Sequence, residues 1–344
     1  MASRIASSSA TGRTTIAIVI AAVFAVFAAL IPASSVAVQP PFLACLVTGA
    51  GDTNDPSFNL LAAAGLQAAE RRGVVGREAH ATAQAGYERE LRACAQDGAA
   101  ITVAVGYGMA SAVDRIATEY PRAAFAVVDV DVRTLPHRPA NVTGVLFREQ
   151  QAGYLAGFTA GLWAAAHDGA AVGAVGGLDI PPIERALAGF RFGAKRAQPG
   201  LRVLTSYSGD FSVPAKCERQ ALGQLARGSA VEFAVAGTCG AGALTAARAK
   251  GAVAIAFGAD PGSGAHWVLA TALERVDVAV EATVLDARGG RLRAGKNTFF
   301  TVANGGIGVG GWSARVPPAM RRAVSRQVAL LAADRLPAIP TTLP

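Results

Sequence analysis

LVTGAGDTNDPSFNLLAAAGLQAAERRG, residues 46–73, runs from an apolar strand through a polar, glycine-bearing turn into a helix. Asp55 is a candidate N-cap. Pro56 suits the first helical position, where its missing N–H costs nothing. A strand that ends this way sets polar side chains and helix N–H donors at the C-terminal edge of a parallel sheet, where α/β proteins bind ligands. The arrangement recurs along the chain. FLACLV, ITVAV, AFAVVDV, NVTGVLF, AAVGAV, RVLTSY, VEFAVA, VAIAF and TFFTVA are short runs rich in Val, Ile and Phe, and alanine-rich stretches of helical length separate most of them. That alternation implies βαβ units and parallel sheets covered on both faces. It runs twice, over about 42–147 and then to about 260. The remaining residues are too few for a third domain and are expected to cross back and complete the first two.

The chain has 344 residues, 52% hydrophobic and 16% charged, enough for two domains of ordinary size. Arg4 and Arg13 precede an uncharged apolar run from Thr15 to Ala33, and small residues follow at Ser35 and Ala37. Residues 1–37 therefore read as a secretory signal peptide or, given the length of the run, a membrane anchor. The net charge is +8, and +6 without those residues. The arginines are scattered, and aromatics make up only 6% of the chain, so the basic excess is a solvated surface rather than a nucleic-acid footprint. An exported basic protein also suits an anionic membrane surface.

Cys45, Cys94, Cys217 and Cys239 permit disulfides in an oxidising compartment. Cys217 and Cys239 each follow a strand end in the second unit, so neighbouring turns bring them together and a disulfide is expected. Cys45 in a strand and Cys94 in a helix are expected to be buried and reduced. No Cys/His spacing suggests a metal, and no cofactor is expected. GTCGAG, residues 237–242, is not a dinucleotide fingerprint, and neither GxxxxGK[ST] nor GxSxG occurs. Cys239 has no histidine in a similar turn to activate it, so the chain reads as a binding protein and not an enzyme. Seven strand-end turns carry glycine: TGAGDTND, VGYGMAS, VGGLDIPP, SGDFSVP, AGTCGAG, FGADPGSG and ANGGIG. Tight turns need glycine anyway. The set, with polar and aromatic neighbours, points to one ligand cleft.

VTGAGDTNDPSFN, NVTGVLFREQQAGYLAGFTAGL, VGAVGGLDIPPIERALAGFRFGAK, SYSGDFSVPAKC and AGTCGAGALTAA occur in that order. Together they resemble the basic membrane protein family. These are extracytoplasmic solute-binding proteins of ABC importers, related to the purine nucleoside receptor A lipoprotein. The resemblance covers about 45–310. It implies a type I periplasmic-binding-protein fold: two doubly wound parallel-sheet lobes, three crossovers and a ligand in the interlobe cleft. On that pattern, 42–147 plus 264–290 form lobe 1 and 148–263 plus 291–336 form lobe 2. A nucleoside-like solute, hinge closure and an ABC permease partner are implied. The alternative is a degenerate binding domain that serves as a sensor or structural module.

Position by position, the resemblance puts Phe58 and Phe211 on the two faces of the base. Asn59 and Asp129 face its polar edge, and Gly237 approaches the sugar. Asp52 and Asn54 lie in the first turn, and Asp52 is a candidate replacement for a missing sugar contact. Three charged positions of the family differ here: Gly49 and Gly258 stand in place of carboxylates, leaving Asp260, and Glu274 stands in place of a lysine. The two glycines are expected to leave volume beside the sugar. Glu274 reverses a charge and favours a cationic substituent. Common purine nucleosides are accordingly expected to bind weakly. Cys45 does not fit a lipid-attachment site and reads as a strand cysteine.

Overall fold

The computed structural model describes residues 41–49, 56–258 and 266–344. The chain runs β1 (Leu43–Gly49), α1 (Pro56–Glu70), β2 (Val75–Ala81), α2 (Tyr87–Gln96), β3 (Ile101–Ala104), α3 (Ala110–Glu119), β4 (Phe125–Val128) and β5 (Val142–Phe147). It continues through α4 (Glu149–Ala166), β6 (Ala171–Gly176), α5 (Pro181–Ala197), β7 (Arg202–Tyr207), α6 (Pro214–Leu225), β8 (Ser229–Val235) and α7 (Gly240–Ala249). β9 (Val253–Gly258), β10 (Val268–Glu274), α8 (Val276–Arg288), β11 (Asn297–Phe300), β12 (Ile307–Gly310) and α9 (Pro318–Ala332) complete it.

Two six-stranded sheets result, ordered β11-β5-β4-β3-β1-β2 and β12-β10-β9-β8-β6-β7. All neighbours pair in parallel except β12, which is antiparallel to β10. Central strands such as β4 (FAVV) and β5 (VTGVLF) are buried at every position, as expected of sheets covered on both faces. β2 lies at an edge and carries Arg77 and Glu78, charges that discourage further strand pairing. In each sheet the order reverses beside the first strand, between β1 and β3 and between β6 and β8. Those switch points open a crevice at the carboxyl ends of the strands.

The lobe boundaries differ from those expected from the sequence. β10 belongs to the second sheet, although 264–290 was expected in lobe 1. β11 belongs to the first, although 291–336 was expected in lobe 2. The chain thus crosses at Arg148, at Arg275 and between β11 and β12. The crossings are tied together. Arg148 N–H donates to the Phe300 carbonyl oxygen (2.9 Å), Arg275 N–H to that of Gly306 (2.9 Å), and Val302 N–H to Gln151 Oε1 (2.9 Å).

Cys217, at the start of α6, is bonded to Cys239, just before α7, with Cα atoms 5.5 Å apart. Cys45 is bonded to Cys94, with Cα atoms 5.9 Å apart, which corrects the expectation of two reduced thiols. The reason is packing: α2 lies on the face of β1 that carries Cys45, in one buried cluster with Val47, Leu91 and Val113. Such a contact between residues 49 apart leaves no mark in local sequence. Closing loops of these lengths stabilises by about 4 kcal/mol for Cys45–Cys94 and about 3 kcal/mol for Cys217–Cys239. Replacing both cysteines of either pair by serine is expected to lower the urea midpoint accordingly. Non-reducing peptide mapping of the wild type should recover both linked pairs and no free thiol at these positions.

Candidate functional site

A cavity opens between the lobes where the carboxyl ends of the strands converge. From the first lobe it is lined by Phe58, Gly106, Tyr107 and Asp129, and from the second by Ile180, Ile183, Phe211, Gly237 and Phe257; Glu149 and Glu274 close one end. Most of these residues end a strand or lie in the turn that follows one; Phe58 and Ile183 stand in the first turns of α1 and α5.

The Phe211 loop is held from several sides. Asp210 accepts from the N–H groups of Ser212 (2.6 Å) and Val213 (3.0 Å) and pairs with Lys216 Nζ (2.6 Å). Lys216 and those backbone donors depress the Asp210 pKa to about 2. Cys239 N–H donates to the Phe211 carbonyl oxygen (2.8 Å), so the disulfide and the aromatic share one support. The Phe211 ring lies against Gly177, where any side chain would collide with it.

The opposite end is charged. Asp129, Glu149 and Glu274 place carboxylate oxygens within 4.8 Å of one another. Arg185 of α5 grips Glu149 through two hydrogen bonds, Nε to Oε2 (2.5 Å) and Nη2 to Oε1 (2.9 Å). Glu149 and Glu274 are 1% and 4% exposed. Burial, with the Glu149 charge beside it, pushes the Asp129 pKa well above the usual carboxylate range; Arg185 only partly opposes this. Burial also raises Glu149. Asp129 sits at φ +66°, a left-handed conformation that aspartate adopts more readily than most residues other than glycine. Its neighbour Asp131 turns elsewhere, accepting from Asn297 Nδ2 (2.7 Å) and from Arg133.

Of the site residues expected from the sequence, Phe58, Asp129, Phe211, Gly237 and Glu274 line this cavity. Asn59 and Gly258 do not line it; Asn59 Nδ2 instead donates to the Gly49 carbonyl oxygen (3.1 Å), tying α1 to β1. Asp52, Asn54 and Asp260 lie outside the described residues. The volume expected at Gly49 is already filled, because a Cβ there would meet the Tyr87 hydroxyl and ring. Gly258 has φ +91°, so a carboxylate side chain at that position would be strained. Sequence reasoning missed Tyr107, Glu149, Ile183, Arg185 and Phe257. Glu149 had a signal, since it opens a helix directly after a strand; Arg185 had none, because its partner lies 36 residues away.

Two doubly wound lobes, three crossovers and a cavity at both sets of strand ends define the solute-binding class of the type I periplasmic-binding fold. A family model, described as ABC transporter substrate-binding protein PnrA-like (Bmp), matches residues 43–329. The chain belongs to that family. It is 25% identical over 296 residues to the ABC transporter nucleoside-binding protein BmpA of Lactococcus lactis, covering 79% of this chain and 82% of that protein. Among solved structures, it superposes on an ABC transporter solute-binding protein of Aeropyrum pernix with a TM-score of 0.71 at 25% identity, covering 88% of this chain and 94% of the other. A solute-binding protein of an ABC transporter system from Conexibacter woesei gives 0.70 at 26% identity, covering 88% and 99%. The described residues contain no helix long and apolar enough to cross a membrane.

Proposed function

We propose that this substrate-binding protein works outside the cytoplasmic membrane, where it encloses a flat, nucleoside-like solute by hinge closure and presents it to an ABC permease. The observation that carries the reading is the placement of Phe58 and Phe211, from opposite lobes, on one cavity. Two rings held by separate lobes stack on both faces of a planar solute only when the lobes close, which couples binding to hinge motion. The nucleoside-binding name of the Lactococcus relative supports the solute class. Residues 1–37 export the chain as a cleaved signal or hold it at the membrane surface. The crossovers at Arg148, Arg275 and 301–306 act as the hinge.

Mass spectrometry of small molecules released on denaturing the purified protein tests this directly. A captured planar solute is the expected result. An empty cleft, together with no thermal shift against a panel of nucleosides and nucleobases, would refute it. With any solute found, Phe58→Ala and Phe211→Ala are each expected to weaken binding by about 1–3 kcal/mol, measured by calorimetry.

A further inference from the structure

The charged end of the cavity is rich in carboxyl groups. Asp129, Glu149 and Glu274 lie together; Arg185 binds Glu149 through two hydrogen bonds, and the Arg148 charge also acts on Glu149. Asp129 Oδ1 is sealed from solvent and has no hydrogen-bond partner among the described residues. An unpaired buried acceptor of this kind is costly unless a ligand satisfies it. The remaining walls include the rings of Phe58, Tyr107, Phe211 and Phe257. Aromatic faces beside carboxylates attract organic cations, since both favour positive charge. A divalent metal ion fits poorly. Calcium and magnesium take six or more oxygen ligands, whereas one carboxylate here is already bound to Arg185 and most other lining residues are apolar.

We propose that the solute carries a positive charge, on its flat ring or on a short arm beside it, and seats that charge between Asp129, Glu149 and Glu274. This rests on the reading that the cleft takes up a planar solute. The cluster also explains how such a charge reaches the hinge. Asp129 follows β4 of the first lobe, Arg185 stands on α5 of the second, and Glu149 and Glu274 each adjoin a crossover, at Arg148 and Arg275. A cation drawn to all three carboxylates therefore pulls on both lobes where they join. The raised Asp129 pKa agrees with this, because the empty site disfavours another negative charge and a positive ligand relieves that cost.

Two matched pairs of probes test the charge separately from the shape. 1-Methyladenosine is cationic near neutral pH, and its isomer N6-methyladenosine is neutral; tryptamine is cationic, and tryptophol is its neutral alcohol counterpart. Calorimetry on the full chain is expected to show the cation of at least one pair binding about tenfold or more tightly than its neutral partner. Asp129→Asn and Glu274→Gln should each bring that ratio towards one. Equal or tighter binding of the neutral partners overturns the proposal but leaves solute binding standing. Binding of none of the four probes also overturns it, and with an empty cleft by mass spectrometry it removes the solute-binding reading as well. Thermal stabilisation by calcium or magnesium alone, lost in Glu274→Gln, would make the cluster a metal site and would equally overturn it.

Discussion

Replacing Gly157 by alanine is expected to destabilise the protein by about 2–4 kcal/mol, a large part of the stability of an ordinary domain. The cause is a helix pair packed backbone to backbone. α4 is buried along most of its length, and Gly153, Gly157 and Gly161 recur every fourth residue on the side that meets α5. A Cβ at Gly153 would overlap the Ala186 carbonyl oxygen, and one at Gly157 that of Phe190. α5 answers with Gly189 against Gln150 and Gly193 against Tyr154, again at carbonyl oxygens. Backbone cannot step aside as a flexible side chain can, so the helices must separate, and Tyr154 and Phe190 lose packing with them. Alanine's better helix propensity, worth about 1 kcal/mol, does not offset this. Gly223→Ala isolates that term: Gly223 lies in α6 with nothing within 4 Å of its would-be Cβ, so the substitution should stabilise by up to about 1 kcal/mol. Urea unfolding of the two variants should move the midpoint in opposite directions. Shifts of the same sign would mean that the α4–α5 contact is looser than the structure shows.

This helix pair was half legible in sequence. The small-residue spacing in GYLAGFTAGL and GFRFG is visible, and it contributed to the family resemblance. That these stripes face each other is a tertiary fact. The strands divide the same way. Buried central strands such as AFAVVDV announce themselves by continuous Val, Ile and Phe, whereas three strands went unread. β2 (VGREAHA) is an edge strand with charges inside it. β10 (VLATALE) is rich in Ala and Leu and has the composition of a helix. β12 (IGVG) is only four residues, two of them glycine. Missing β10 and β12 shifted both lobe boundaries in the last third of the chain, because a crossover can be placed only when the strands flanking it are known. The cavity shows a parallel split. Phe58, Asp129 and Phe211 were found through the family resemblance, which rests on motifs legible in the sequence. Arg185 was not, because its place at the site depends on how α5 lies against the start of α4.

Glu232→Gln is expected to remove most of a stability loss that the wild type suffers between about pH 5 and pH 8. Glu232 stands in β8, within the second sheet, and is 0% exposed. Neither carboxylate oxygen has a hydrogen-bond partner among the described residues. The neighbouring Ser229 hydroxyl donates instead to the Val231 carbonyl oxygen (3.0 Å). Glu232 shares the space over Gly173 with Gln224, whose Nε2 is spent on the Ala174 carbonyl oxygen (3.0 Å) and Ser206 Oγ (2.9 Å) and whose Oε1 has no partner. Burial pushes the Glu232 pKa from 4.5 up to about 8, only slightly opposed by Ser229. The folded protein thus holds this proton more tightly than the unfolded chain. Its contribution is fully present below the unfolded pKa of about 4.3 and is lost as pH rises through about 8, by about 2–5 kcal/mol in total. Asp129 and Glu149 are raised as well and tilt the wild-type curve in the same direction, so the wild type alone decides nothing. The difference between wild type and Glu232→Gln isolates one group, because glutamine keeps the shape and cannot ionise. Denaturant unfolding at several pH values should give two curves that approach each other near pH 5 and diverge steadily towards pH 8, with the variant the more stable. Parallel curves would mean that Glu232 is ionised at neutral pH and that water or a cation reaches it inside the second lobe.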